Sequence, residues 1–216
     1  MPEFTIVLGN KAYSSWSLRG WLPLKLSGAS FDEIVIPLRE SDTKARLLEA
    51  SSAGKVPVLK TADGPIWDSL AIAEYLAERF PDAGLWPEDP RARALARSVT
   101  SEMHSSFPAL RNDCPMDVRS RYRDREFSES TRQDIERITS IWRDCRARFG
   151  AGGEFLFGGF CIADAFYAPV VSRFVTYDVA LDSVCSAYRD AVMARPEMQE
   201  WIDAGHAEPW TMEFDV

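Results

Sequence analysis

The sequence predicts an α/β domain of order βαβαββα over residues 1–82, followed by an all-helical domain over residues 90–216. Three observations predict this two-part architecture. Runs rich in β-branched and aromatic residues crowd into the first third of the chain and fade after it. Helical spacing, with apolar residues three and four apart, governs the rest. Pro81, Gly84, Pro87 and Pro90 form a breaker-rich segment between the two regions.

Phe4 to Leu8 is a strand that Gly9-Asn10 ends, and a helix begins near Ser15, turns Trp16, Leu18, Trp21, Leu22 and Leu26 inward, kinks at Pro23 and stops at Gly28. Residues 33–37 form a second strand, parallel to the first through a right-handed crossover, and residues 43–50 a short helix. The apolar run 56–59 is a buried strand whose odd member is Pro57. Lacking an N–H, a proline belongs at the first position of a strand, where the X-Pro bond is open to the cis form. That placement frees the N–H and C=O of Val56 to pair with an extended peptide. Asp63-Gly64 is a hairpin turn, Ile66-Trp67 the return strand, and a helix opens at Asp68-Ser69 with Leu70, Ile72, Ala73, Leu76 and Ala77 as its apolar positions. Past the breakers, residues 91–110 read as helix interrupted near Pro108, and 117–129 as an Arg-rich loop with some helix. Further helices cover 128–149, 162–177, 183–194 and 197–204, the last closed by Gly205.

The chain has 216 residues, 46% of them hydrophobic, enough for one large or two small domains with cores of their own. A net charge of −8 argues against nucleic acid or an anionic membrane as the main partner, although a local cluster of basic groups can still hold a small anion. No run of about 18 apolar residues occurs, and Met1-Pro2-Glu3-Phe4 lacks the basic-then-apolar profile of a signal peptide, so a cytoplasmic protein is expected. Cys114, Cys145, Cys161 and Cys185 show neither CxxC nor zinc-like spacing; reduced thiols and no metal site are expected.

Gly54-Lys55-Val56-Pro57-Val58-Leu59, followed by Trp67-Asp68-Ser69-Leu70-Ala71-Ile72-Ala73-Glu74-Tyr75-Leu76, resembles the glutathione-binding half of the glutathione S-transferase superfamily. There a thioredoxin-like N-terminal domain precedes an all-helical one, and the resemblance covers most of the chain. It implies glutathione as substrate or cofactor, with Val56 and Pro57 presenting the backbone to the cysteinyl residue, Asp68 and Ser69 taking the γ-glutamyl end, and Lys55 near the glycyl carboxylate. An open backbone, a helix start bearing a carboxylate and a hydroxyl, and a lysine together suit both ends of a small zwitterionic peptide. Taken alone, Asp68-Ser69 reads equally well as a plain helix cap.

Residues 13–19 fall where the first strand hands over to the first helix, a place whose unpaired N–H groups and positive dipole end favour an anion. No cysteine stands there, so the reactive sulfur would be that of a bound thiol, held as thiolate by a hydroxyl. Lowering a free thiol pKa of about 8.5 by two units takes about 2.7 kcal/mol. One hydrogen bond to a charged group supplies about 1.5–3 kcal/mol and a helix N-terminus about 0.3–1, so one serine is sufficient. Ser14-Ser15-Trp16-Ser17-Leu18-Arg19 is similar to the Ser-Ser-Cys-Ser-x-Arg signature of the zeta class, which implies Ser14. The spacing of the delta and theta classes implies Ser15, Tyr13 is an outside candidate, and simple capping by both serines is the competing account. Arg19 is expected to pair within the protein.

Residues 158–164 resemble the Ser-Ile-Ala-Asp capping box that starts the central buried helix of the superfamily, with Cys161 in the cap position and Asp164 in a structural role. The cysteine should cost about 1 kcal/mol relative to a serine cap. His104, on a helix that lines the cleft in the superfamily, is a candidate ligand contact or a packed residue. Trp16, Phe107 and Tyr177 are candidates for an apolar second-substrate wall or for core. Ala92, Leu95, Ala96, Val99 and Met103 make one apolar face of that helix; Arg93, Arg97, Ser101 and Glu102 make a mixed-charge face suited to a twofold mate, and a homodimer loosened by salt is expected. The leading functional reading is a glutathione transferase acting on an electrophilic small molecule. A glutathione-dependent isomerase of maleyl compounds is the second, and a non-catalytic protein-association module the third.

Overall fold

The computed structural model describes residues 2–214; Met1, Asp215 and Val216 lie outside the described residues. The first part of the chain runs β1 (Phe4–Leu8), α1 (Ser15–Leu26), β2 (Phe31–Val35), α2 (Thr43–Ala50), β3 (Val58–Thr61), β4 (Gly64–Ile66) and α3 (Ser69–Arg79). The strands form one sheet in the order β2-β1-β3-β4, with β1 and β2 parallel and the other two pairings antiparallel. This is the thioredoxin-like arrangement. Helices α4 (Pro90–Ser105), α5 (Pro108–Asp113), α6 (Glu129–Phe149), α7 (Ile162–Thr176), α8 (Ser183–Met193) and α9 (Pro196–Ala207) make the second, all-α part.

The central strand explains its own composition. Ile6 and Leu8 face a core shared with Leu59, α1 and α3, whereas Val7 faces a separate cluster with Ile36, Leu47, Ala50 and Val58 under α2. Both faces of β1 are therefore covered, and a continuous apolar run follows from period-2 alternation between two cores. Strand β2 starts two residues earlier than its β-branched run indicates and ends at Val35. It is an edge strand, and its charged Glu33 is held by the Trp21 indole N–H and the Lys11 ammonium, each at 2.5 Å.

In the helical part α7 is central: every residue but Val175 is buried. Its start carries the capping box. The Asp164 carboxylate accepts from the N–H of Cys161 at 2.9 Å and of Leu156 at 3.0 Å. Burial pushes its carboxyl up to about 6, while the two backbone donors pull in the other direction.

Two expectations are corrected. Gly205 does not close the last helix but lies inside α9, where a Cβ would stand 3.0 Å from Val118 Cγ2 and 3.1 Å from the Ala12 nitrogen, so it permits α9 to approach the loop after β1. Residues 117–128 contain no helix. They take their course from distant partners: Val118 N–H donates to Ala12 O, Tyr122 N–H to Thr176 O, and the Arg119 guanidinium to the carbonyls of Gly205, Glu208 and Trp210. On the polar face of α4, Arg97 pairs with Glu74 and Glu102 with Arg137 of the same chain, and Arg93 donates to the carbonyls of Pro87 and Glu88. These charges have partners within the chain.

The two parts meet along α1 and α7, where Arg19 Nε donates to Phe166 O at 3.0 Å, and at the loop after β1, where Glu208 accepts from the N–H groups of Lys11 and Ala12. Among the described residues no helix is long and apolar enough to cross a membrane.

Candidate active site

A cleft of about 380 Å³ opens between the two parts, lined by Trp16, Ala53, Lys55, Val56, Pro57, Trp67, Asp68, Ser69 and His104. It brings together all six residues that the sequence nominates for ligand binding: Lys55, Val56, Pro57, Asp68, Ser69 and His104. Ser14 and Ser15 are not among its lining residues. Ala53 and Trp67 were not nominated.

Its floor comes from the bend into β3. Gly54 has φ of +58°, the left-handed turn that leads into Lys55, and the Val56–Pro57 peptide is cis. The Pro57 ring packs against α1 at Gly20, where a Cβ would lie 2.7 Å from Pro57 Cγ. Register in the β1–β3 ladder begins at Val58, and neither the N–H nor the C=O of Val56 has a hydrogen-bond partner among the described residues. A segment that could carry one more strand is thus left open on the cleft side of the sheet.

The second wall is the N-terminus of α3. Asp68 caps it, Oδ1 accepting from Leu70 N–H at 2.9 Å, while Oδ2 meets His104 Nε2 at 3.0 Å. One carboxylate therefore both caps the helix and contacts His104. Ser69, the first helical residue, is fully buried and its Oγ has no partner. The Nδ1 of His104 is likewise buried and unpartnered, and the ring stands edge-on to Trp16 with centroids 5.2 Å apart. Unmet polar groups of this kind are uncommon in a folded interior, and these two line the same cleft.

Of the proposed aromatic wall only Trp16 reaches the cleft, 36% exposed; Phe107 and Tyr177 are core residues. The Trp16 ring has the guanidinium carbons of Arg19 and Arg111 each 4.8 Å from its centroid. Arg19 does pair within the protein, but with carbonyls rather than a carboxylate: it donates to Phe166 O and Ser15 O, and its Nη2 has no partner. Burial, then the charges of Arg111 and Arg173, holds it well below the usual guanidinium range. None of Arg19, Arg111 and Arg173 forms a salt bridge among the described residues. The start of α1 is consequently electropositive in a chain of net charge −8.

At that start, Ser14 is the N-cap of α1: its Oγ accepts from Ser17 N–H at 3.3 Å and donates to Ser17 Oγ at 2.8 Å. Ser15 Oγ accepts from Arg173 Nη2 at 3.3 Å. Arg173, on α7, carries no signal that marks it in the sequence, because only folding brings it 158 positions back to Ser15. The Tyr13 hydroxyl lies 3.4 Å from Arg119 Nη1, and its ring packs on Phe214.

All four cysteines are free and buried. Burial pushes the thiols up, to about 11 for Cys114, about 12 for Cys145 and Cys185, and well above the usual value for Cys161. No thiol of the chain is a thiolate near neutral pH. Among the described residues there is no cluster of side chains fit to hold a metal ion.

Residues 13–79 match a family model described as "Glutathione S-transferase, N-terminal domain". The chain is 36% identical to a probable maleylacetoacetate isomerase of Caenorhabditis elegans over 98 residues, which is 45% of each protein. It is 25% identical to human glutathione S-transferase omega-2 over 212 residues, 97% of this chain and 79% of that one. The crystal structure of a glutathione transferase homolog from Burkholderia, with bound glutathione, superposes with a TM-score of 0.74 at 24% identity, covering 96% of this chain and all of that one, a likeness of fold.

Proposed function

Since the chain belongs to the glutathione S-transferase superfamily, we propose that it is a glutathione transferase that holds the tripeptide in extended form along Val56 and presents its thiolate to an electrophilic small molecule. One observation carries the proposal: polar groups without partners, the Val56 N–H and C=O and the buried Ser69 Oγ, lie on one cleft with an exposed lysine. Val56 would pair with the cysteinyl backbone in the manner of an added strand, with Pro57 fixing its position at the sheet end. Asp68 and Ser69, at the positive end of α3, would hold the γ-glutamyl carboxylate and amine, and Lys55 the glycyl carboxylate. His104, already on Asp68 Oδ2, would adjust as the γ-glutamyl amine approaches that oxygen.

The reactive sulfur must come from the ligand, because the chain's own thiols are buried and protonated. A hydroxyl at the start of α1, that of Ser14 or Ser15, would donate to the thiolate, and the arginines around Trp16 would add a favourable field. The electrophile would sit against Trp16. In this reading residues 1–82 are the glutathione-binding domain and 90–216 the helical domain that closes the cleft. The protein would work as a cytoplasmic homodimer, and its four free thiols suit a reducing compartment.

Thermal unfolding with and without glutathione tests the proposal. At 100 times the dissociation constant the ligand adds about 2.7 kcal/mol, a rise of roughly 5–10 °C for a chain of this size. An unchanged melting temperature at millimolar glutathione would overturn it and favour the protein-association module. A second enzymatic reading, a glutathione-dependent isomerase of maleyl compounds, is favoured by the likeness to the nematode protein and by three buried or half-buried guanidiniums that form no salt bridge among the described residues. Recovery of all added glutathione after turnover would select it.

A further inference from the structure

We propose that Arg173 is a positioning residue that makes Ser15, and not Ser14, the hydroxyl donating to the bound thiolate; the proposal rests on the glutathione reading above. The argument is an account of hydrogens. Ser14 gives its hydrogen to Ser17 Oγ at 2.8 Å and takes Ser17 N–H at 3.3 Å, and Ser17 Oγ is itself held by Gly9 N–H at 2.9 Å. Ser14 thus belongs to a closed chain that ties the end of β1 to the first turn of α1, and both of its functions are used.

Ser15 is placed differently. Its oxygen accepts from Arg173 Nη2 at 3.3 Å, and a guanidinium has donors only. The serine hydrogen therefore cannot return to Arg173, and it has no other acceptor among the described residues. It is left for a group from outside the chain. The N–H groups of Ser15 and Trp16 are also unpaired at this helix start, so an anion arriving there meets one hydroxyl and two amides.

Arg173 is fixed well enough to set that orientation. It is 4% exposed, Nε donates to Cys114 O at 2.7 Å and Nη1 to Pro169 O at 3.2 Å. With no salt bridge of its own, its charge stands behind the Ser15 oxygen, polarises the O–H bond and favours an anion in front of it. On binding, the thiol proton leaves to water and Ser15 keeps its own. The central helix of the helical part in this way joins His104 of α4 in completing a site built mostly from the α/β part.

The test titrates the thiolate absorbance of glutathione bound at saturation to the full-length protein, with affinity measured separately by calorimetry. Ser15→Ala and Arg173→Met are each expected to raise the bound thiol pKa by about one unit, lowering the thiolate-to-thiol ratio near neutral pH about tenfold, with affinity held within about threefold. Ser14→Ala is expected to leave that pKa in place and to lower the melting temperature through loss of the cap. The double variant Ser15→Ala/Arg173→Met should be no worse than Ser15→Ala, because the two act through one hydrogen bond. Should Arg173→Met not fold, Arg173→Lys serves, keeping the charge without the three-way fork; a thiolate fraction between those of wild type and Ser15→Ala supports the role, and a wild-type value overturns it. A pKa rise in Ser14→Ala but not in Ser15→Ala also overturns it. Failure of the wild-type protein to bind glutathione in the calorimeter would instead overturn the reading beneath it.

Discussion

Replacing Asp164 with alanine at the start of α7 should destabilise the protein strongly and with a pH dependence of unusual sign. The carboxylate is fully buried and accepts from two backbone N–H groups, those of Leu156 and Cys161, at 3.0 and 2.9 Å. Alanine leaves both donors buried without a partner, at about 1–3 kcal/mol each, so the expected loss is roughly 2–6 kcal/mol near pH 7. Against this, burial raises the carboxyl from its usual 3.8 to about 6, which corresponds to about 3 kcal/mol of stability at 1.36 kcal/mol per pH unit. The unfolded chain releases this proton at lower pH than the folded one, so between the two values the folded state binds more protons. Raising the pH through that window therefore removes stability from the wild type, and the loss is complete above about pH 6. The advantage of wild type over Asp164→Ala should accordingly be larger at about pH 4 than at pH 7, by up to about 3 kcal/mol. Urea unfolding followed by circular dichroism, both proteins at each pH, reads the difference while other titrations cancel. A variant within 1 kcal/mol of wild type at pH 7, or an advantage that grows as pH rises, would refute the reasoning.

Ser69→Ala removes a buried hydroxyl that has no partner in the unliganded chain, so the melting temperature should hold or rise slightly while glutathione affinity falls about tenfold by calorimetry, the worth of one hydrogen bond to a charged group. Gly205→Ala would gain about 1 kcal/mol of helix propensity yet force a methyl to 3.1 Å from the Ala12 nitrogen, and a net loss of about 1–2 kcal/mol is expected in denaturant unfolding. Cys161→Ser, restoring a hydroxyl at the cap of α7, should raise stability by about 0.5–1 kcal/mol in the same assay. Light scattering at micromolar concentration should give about twice the chain mass of 24.3 kDa, and a monomer would end the homodimer proposal.

What the sequence determined by itself is local. The run Phe4 to Leu8, Pro57 at the head of a strand, Asp68 before a helical period and Asp164 three residues after Cys161 each mark an element through steric or hydrogen-bonding rules that act over a few residues. Those rules place five of the six cleft residues at the starts of two neighbouring elements, β3 and α3, with His104 added from α4, so most of the candidate site was legible. The chain could not declare how its distant segments meet. Residues 117–128 owe their path to carbonyls of Ala12, Thr176 and the end of α9, so no local period describes them. Gly205, placed where a stop signal is expected, answers a close approach to Ala12. Arg97 and Glu102, which read as a free polar face, are taken up by Glu74 and Arg137. Ser14 and Ser15 are adjacent and chemically identical; the local cap to Ser17 occupies Ser14, and the packing of α7 against α1 sets Arg173 beside Ser15. Helix and strand spacing are set by backbone sterics along the chain, whereas the partner of a side-chain hydrogen is set by which surfaces the cores bring together.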